Sequence, residues 1–320
     1  MLNRKSNYLV ILIATYNRLN LLKRALNSIA TNTRCSHEII VIDGGSSDGT
    51  IEYLKSNPNV TPVFQGELLG AARAYNQVWK QVESQYTCWL SDDTEIVAGS
   101  LDLAVNILKN HPSIGMVGLK MKDTTGESQI KPYMGAISEY GIINCNHGVL
   151  ATSLLRSLGY FNESYRTYGI DPDLTASVLC TGKSTVMTKQ VSVLHHRVDF
   201  KESTPMKERE SDGENIRDEG KSIYHEKFQF LAHCDVPYAY TKALLKDRSI
   251  PFLYPSGIQK WNTIRLGLNY RDWRNIIRGK FVKATDPLDN LLHPYHLVQQ
   301  LPRHLLLSAK NPYRHILTDQ

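Results

Sequence analysis

Two adjacent carboxylates, Asp92 and Asp93, follow the apolar run Cys88-Trp89-Leu90 in the stretch "CWLSDDTEIV". Paired acids at the end of a buried segment can hold a hard divalent cation, which prefers oxygen ligands. They can equally cap the helix that follows. A second acid, Asp43, opens "DGGSSDGT". An acid just past a strand can accept hydrogen bonds from a ribose hydroxyl or a base edge, and glycines beside it let backbone approach a ligand; a plain Gly/Ser/Asp turn has the same composition. In "YGIDPDL", Asp171 precedes a proline at a helix start and Asp173 lies in the first turn. There a carboxylate favours the helix dipole, or serves as a general base if a hydroxyl reaches it. The pair His195-His196 closes "VLHH", and in an alternating strand only one of the two faces a given side, as metal ligand or as satisfied histidine.

These residues need elements to hold them. Residues 8–14 "YLVILIA", 38–42 "EIIVI" and 86–90 "YTCWL" are continuous apolar runs, the pattern of parallel strands covered on both faces. Between the first two, Leu19, Leu22, Ala25, Leu26 and Ile29 recur at helical spacing; "LLGAARAYNQVWKQVES" reads as a second helix. Strand and helix alternate as in an open α/β sheet. In such sheets ligands lie outside the carboxyl ends of the strands, so "TYNR", "DGGSSDGT" and "SDDTE" should meet at one edge. Further on, "IGMVGLKM" predicts a strand. "DPDLTASVLCTG" predicts a helix ending at Gly182, and "STVMTKQVSVLHH" predicts strands ending in the histidines. Neither a Gly-x-Gly-x-x-Gly dinucleotide fingerprint nor a Gly-Lys-Ser/Thr phosphate loop is present.

The 320 residues, 42% hydrophobic and 21% charged, suit a soluble globular protein of one large domain plus an extension, or of two domains. The five cysteines form no Cys-x-x-Cys pair, which argues against a zinc ribbon or disulfide scaffold and suits a reducing compartment. The N-terminal apolar run is too short and lacks a small-x-small site, so a first strand is expected rather than a signal peptide. The net charge of +6 sits in residues 256–320, which hold ten Lys/Arg against four Asp/Glu; 27 of each lie elsewhere. Within that tail, Trp261, Trp273 and neighbouring Ile/Leu positions share helical spacing with basic residues between them. Such a face lies on an anionic membrane or packs on the body or a second subunit.

Order and spacing together resemble the family 2 inverting glycosyltransferases of GT-A fold. The resemblance is carried by "ATYNR", "VIDGGSSDGT", "LGAARAYN", "LSDDTE", "LGYFNESYRTYGIDPDL" and the "HH" pair, over roughly residues 8–196. It implies a GT-A domain over 1–200, with a nucleotide-binding half (1–95) and an acceptor half (96–200). A charged linker and basic, mainly helical extension would fill 201–320. It also implies roles. Ala14, Tyr16 and Asn17 would line the base, Asp43 the base or ribose, and Arg73 and Asp92 the rest of the donor. Asp93 and His195 would hold Mn²⁺ or Mg²⁺, and Asp171 would be the catalytic base. The chain departs from the family pattern at Ala14 (usually Pro), Ser91 (often an acid), Asn162 (usually Asp) and Ile170 (usually an acid).

The implied activity is transfer of a hexose-type sugar from a nucleotide diphosphate, UDP first and dTDP second, to a glycan or lipid-linked acceptor. Such an enzyme would work in the cytoplasm, at the inner face of the membrane, in polysaccharide synthesis and with no nucleic acid partner. The rival readings are a non-catalytic relative that binds glycan, membrane or a partner, and a sugar nucleotidyltransferase. The latter usually carries a glycine-rich basic loop after the first strand, and "TYNRLN" does not resemble it.

Overall fold

A computed structural model describes residues 8–124, 142–143, 145–165, 169–188, 190–196, 213–231, 295–301 and 303–317. The chain opens with alternating strands and helices: β1 (Leu9–Thr15), α1 (Leu19–Asn32), β2 (His37–Asp43), α2 (Thr50–Ser56), β3 (Thr61–Phe64), α3 (Ala71–Trp79) and β4 (Tyr86–Ser91). Then follow β5 (Thr94–Ile96), α4 (Ser100–Asn110), β6 (Ile114–Gly118), β7 (Met121–Asp123), β8 (Gly148–Ala151) and α5 (Thr152–Ser157). The acceptor side adds α6 (Ile170–Cys180), β9 (Ser184–Thr188) and β10 (Val193–His195), and the extension adds α7 (Gly213–Phe228) and β11 (Tyr295–Gln299).

Eight strands form one sheet in the order β11-β9-β6-β8-β4-β1-β2-β3. Strands β1 to β4 run parallel, β6 and β9 run parallel to each other, and β8 and β11 are antiparallel to their neighbours. The continuous apolar strands follow from this architecture, because helices cover both faces. One apolar layer joins α3, α5 and α6 to the sheet through Trp79, Trp89, Phe161 and Leu174. The opposite layer joins α1 and α4 through Leu22, Ile29, Leu101 and Ile107.

Register places the site. Thr15 lies opposite Asp43, and Ala14 lies opposite Ser91. The loops after β1, β2 and β4 therefore leave the sheet at one level, as the strand order in the sequence required. Order reverses between β1 and β4, the switch point at which α/β sheets open a ligand crevice. A three-stranded sheet β5-β10-β7 sits beside it. Its register sets His195 opposite Thr94 on one side and Asp123 on the other, so the histidine lands next to the β4 acids.

The extension is built into the body. Strand β11 pairs with β9. Tyr224, Phe228, Leu231, Leu301 and Leu305 bury Ala176, Leu179 and Cys180 of α6. The Asn311 amide donates to Cys180 O at the C-terminus of α6 (2.9 Å), satisfying a carbonyl the helix cannot pair itself. The expectation of a basic amphipathic segment with Trp261 and Trp273 lies outside the described residues, as does most of the charged linker. No described helix is long and apolar enough to cross a membrane.

Candidate active site

The loops after β1 and β2 are laced together. Asn17 adopts a left-handed backbone (φ 52°), its N–H donates to Ser46 Oγ (2.9 Å), and its side-chain oxygen accepts the Ser47 N–H (2.7 Å). The Asp48 carboxylate accepts Leu19 N–H (2.9 Å), which caps α1 from a neighbouring loop. Asp43 is fully buried. One carboxylate oxygen accepts the Gly45 and Ser46 N–H groups (both 3.0 Å), and Oδ2 has no partner among the described residues. A buried acceptor without a donor is costly alone, and a ligand N–H or O–H would satisfy it. Gly45 is required here: its φ is +93°, and a Cβ would lie 2.6 Å from Gly66 O.

The acids after β4 divide their work. Asp92 accepts the Thr15 hydroxyl on Oδ2 (2.8 Å), which ties β4 to β1. Asp93 accepts the Ser91 hydroxyl on Oδ1 (2.6 Å), and its Oδ2 lies 3.5 Å from His195 Nε2. The other His195 nitrogen is 2.8 Å from Asp123. Arg18 Nη1 bridges the pair, 3.1 Å from Asp92 Oδ1 and 3.3 Å from Asp93 Oδ2. Burial pushes the Asp92 carboxyl up to about 6, with Asp93 adding to the push and Arg18 opposing it. For Asp93, burial acts upward but is outweighed by His195, Ser91 and Arg18, which hold it well below the usual carboxylate range. His195 is raised for the reciprocal reason: burial opposes its charge, and Asp93 and Asp123 overcome that.

This donor set fits a divalent ion. Two ligands at about 2.1 Å from one ion and roughly at right angles to each other lie about 3 Å apart; the Asp93–His195 gap is close to that. The Asp123 bond to the second imidazole nitrogen is the outer support that metal-binding histidines usually have. Among the described residues no three His, Cys, Asp or Glu side chains converge on one point. Asp93 and His195 would therefore be the protein's share, with water and phosphate completing the shell, the usual arrangement for Mg²⁺ and Mn²⁺.

Asp171 stands in the first turn of α6, half-buried. Burial pushes its carboxyl up to about 7, against a smaller downward pull from the Trp89 indole N–H. Tyr75 is packed where Asp92 and Asp171 both act on it. Its hydroxyl donates to Leu90 O (2.7 Å) and accepts Ala14 N–H (3.4 Å), bracing the ends of β1 and β4. Ahead of α6, Gly169 has a φ of +105°, and the Tyr165 ring lies 2.4 Å from where a Cβ would stand. Asp173 takes no place among these groups: it is buried and accepts from Tyr165 and Lys227 Nζ (2.7 Å).

Of the residues expected from the sequence, Ala14, Asn17, Asp43, Asp92, Asp93 and His195 come together at the sheet edge. Tyr16 lies between Thr15 and Asn17 in the same loop, partly exposed, and Asp171 lies on the acceptor side by Trp89. Arg73 stands apart, on the exposed face of α3, with Nε 3.8 Å from Glu163. His196 turns away from Asp93, to Glu95 (2.6 Å) and Thr124 (2.6 Å); Arg24 also pairs with Glu95. Sequence reasoning missed three groups. Arg18 stood in a quoted motif without a role. Asp123 ends a three-residue strand. His147 is buried with Nε2 3.5 Å from Ser91 Oγ, and burial with the nearby His195 lowers it to about 4, so it is neutral. No spacing signal marks the last two.

Comparison with known proteins gives the family and the fold. The model of glycosyl transferase family 2 matches residues 10–173, and the chain belongs to that family. An uncharacterized glycosyltransferase of Rickettsia typhi is 27% identical over 187 residues, 54% of this chain and 58% of the relative. The poly-beta-1,6-N-acetyl-D-glucosamine synthase of Staphylococcus epidermidis is 29% identical over 177 residues, 50% of this chain and 43% of the synthase. The chain thus spans about half the length of these relatives. Among solved structures, the mannosyltransferase PcManGT of Pyrobaculum calidifontis, in complex with GDP-Man and Mn²⁺, has a TM-score of 0.50. It is 19% identical and is matched over 90% of this chain and 88% of its own. Staphylococcus aureus TarS (residues 1–349) has a TM-score of 0.50 at 18% identity, over 59% of this chain and 60% of its own. The fold is the GT-A type of these neighbours.

Proposed function

We propose that the protein is an inverting glycosyltransferase that moves a sugar from a nucleotide diphosphate to a hydroxyl of a glycan or lipid-linked acceptor. What supports this reading is one convergence. Asp43 with its unpaired Oδ2 and the Asp93–His195 pair border the edge where β1, β2 and β4 end, and Asp171 lies beside Trp89 of β4.

Each group then has a chemical task. Asp43 Oδ2 accepts a base N–H or ribose hydroxyl, and the Asn17–Ser46–Ser47 lacing keeps the nucleotide loop in shape. Asp93 and His195 would hold Mn²⁺ or Mg²⁺, which when bound would supply positive charge for the departing diphosphate. Asp171 takes the proton from the acceptor hydroxyl as its oxygen attacks the anomeric carbon. The bond from that carbon to the diphosphate oxygen breaks, and the nucleoside diphosphate leaves with the electron pair. A single base and direct attack from the opposite face invert the anomeric centre. A UDP-sugar is the first donor to test, dTDP- and GDP-sugars the next. The polymer synthase among the relatives favours a glycan acceptor.

The test is nucleotide-sugar turnover with Mn²⁺ across a donor panel, using hydrolysis where no acceptor is known, in wild type and Asp171→Asn. The reading expects turnover of one donor class that depends on metal and falls at least about 100-fold in the variant. Turnover of none would leave a binding relative as the better description; turnover indifferent to Asp171 would take the base role away from it.

A further inference from the structure

We propose that Arg18 is a resident counter-ion. It holds the Asp92–Asp93 pair while no metal is bound, gives way when the ion enters, and then turns its guanidinium to the donor's diphosphate. This rests on the metal-assisted reading above and extends it: ion and donor would be coupled through one side chain.

The geometry points to competition. The oxygen of Asp93 that faces His195 Nε2 at 3.5 Å is Oδ2, the same oxygen that Arg18 Nη1 holds at 3.3 Å. An ion drawn in by Asp93 and His195 meets a guanidinium already on its ligand. Two cations that close together repel, so one must leave, and Arg18 is the one free to move. Its backbone is fixed: the preceding Asn17 is pinned to Ser46 and Ser47, and its own carbonyl accepts Leu22 N–H (2.9 Å). Its side chain is 28% exposed, whereas Asp92 and Asp93 expose 4% and 12%. The guanidinium is thus at the open side of the pair.

The destination follows from chemistry. A planar guanidinium offers several N–H donors in a fork that matches phosphate oxygens. A diphosphate bound to an ion on Asp93 lies within a side chain's reach of Arg18. The displaced charge then re-pairs with an anion brought by the ligand. Before the ion arrives, the same side chain keeps two adjacent buried carboxylates from facing each other uncompensated. Coupling of this kind is reciprocal: if the diphosphate draws Arg18 off the acids, it must tighten the metal.

The test is Mn²⁺ uptake by the full chain, followed by the electron paramagnetic resonance of free Mn²⁺, alone and with saturating UDP or GDP. It is run on wild type, Arg18→Gln, Arg18→Lys and Asp93→Asn. The expected result is a pair of opposite shifts in Arg18→Gln. Mn²⁺ alone binds about tenfold tighter because its competitor is gone, and the nucleotide binds the Mn²⁺ form about tenfold weaker because a charged hydrogen bond is lost. Arg18→Lys, which keeps one ammonium without the fork, should show both shifts at reduced size and carries the test if the glutamine variant does not fold. Mn²⁺ affinity that is unchanged or weaker in the Arg18 variants would overturn the proposal and make Arg18 a fixed brace; nucleotide-dependent uptake lost in Asp93→Asn would show that the metal reading survives. No uptake by wild type under any condition would sink both.

Discussion

The base role proposed for Asp171 rests on where α6 begins. Half-buried in the first turn, beside the Trp89 indole, its carboxyl is raised to about 7 from an ordinary carboxylate value near 4. A base with that value is strong enough to take a hydroxyl proton and is about half ionised at neutral pH. The transfer rate should therefore rise with pH, half-maximal near 7 and levelling off about one unit higher, and a pH–rate profile checks this. The same shift acts on stability with a definite sign. Between the unfolded value and about 7 the folded protein binds the extra proton, so stability falls as pH rises across that window. Asp171→Asn removes the effect, and its urea midpoint should vary less with pH from 4 to 7 than that of wild type; an identical pH dependence would contradict the burial argument. At this scale Asp43, Asp92, Asp93 and Asp171 were legible because each follows a strand or opens a helix, where order alone sets position. His147 and Asp123 were not, since their nearness to Ser91 and His195 is created by pairing across distant segments.

The elements that position these residues show why motif and contact are different things. In "LGAARAYN" Ala72, Ala74, Tyr75 and Asn76 are buried, and the last two carry polar groups inward. The Asn76 amide donates to Phe161 O (2.8 Å) and Glu163 (2.9 Å) and accepts Phe161 N–H (3.0 Å), fastening α3 to the segment ahead of α6. That stretch and "LGYFNE" are thus two halves of one joint. Asn76→Ala strands buried backbone groups and should cost about 2–4 kcal/mol, measured by chemical denaturation; a change under about 0.5 kcal/mol, the usual scatter for exposed sites, would deny the joint. The long strands and α1 were plain in the sequence because their apolar runs and helical spacing are strong. The α2–β3 unit was missed. Its helix has seven residues and its strand four, with Pro62 in the strand, which only an edge position tolerates. Of the β5-β10-β7 sheet only β10 was expected; β5 and β7 are three residues long and exist through their partners.

For the whole molecule, the extension is structural as well as basic. Lys227 of α7 reaches Asp173 at 2.7 Å and Ser177 at 3.3 Å, Ser177 donates to the Tyr313 hydroxyl (2.9 Å), and Asn311 closes α6 behind them. The helix that carries Asp171 is therefore gripped between sheet and extension. Lys227→Met leaves the Asp173 charge buried without its cation. It should lower stability by about 3 kcal/mol, roughly the loss known for breaking a buried pair, with an unfolding midpoint that drops accordingly. An unchanged midpoint would mean the extension is held elsewhere. A composition shift near residue 200 marked the extension, but its packing could not be deduced. Strand β11 is separated from β9 by about a hundred residues, and local pattern carries no information over that distance.

The central claim is that the β4 carboxylates hold a cation that in turn holds a nucleoside diphosphate. Its most direct measurement is calorimetric binding of UDP, GDP and dTDP, each with and without Mn²⁺, to wild type and to Asp93→Ala. The account predicts that one nucleotide binds wild type only when Mn²⁺ is present and that Asp93→Ala abolishes this. Binding of none of the three, or binding equally strong without metal and in the variant, would contradict it and return the acids to the simpler role of capping the chain after β4.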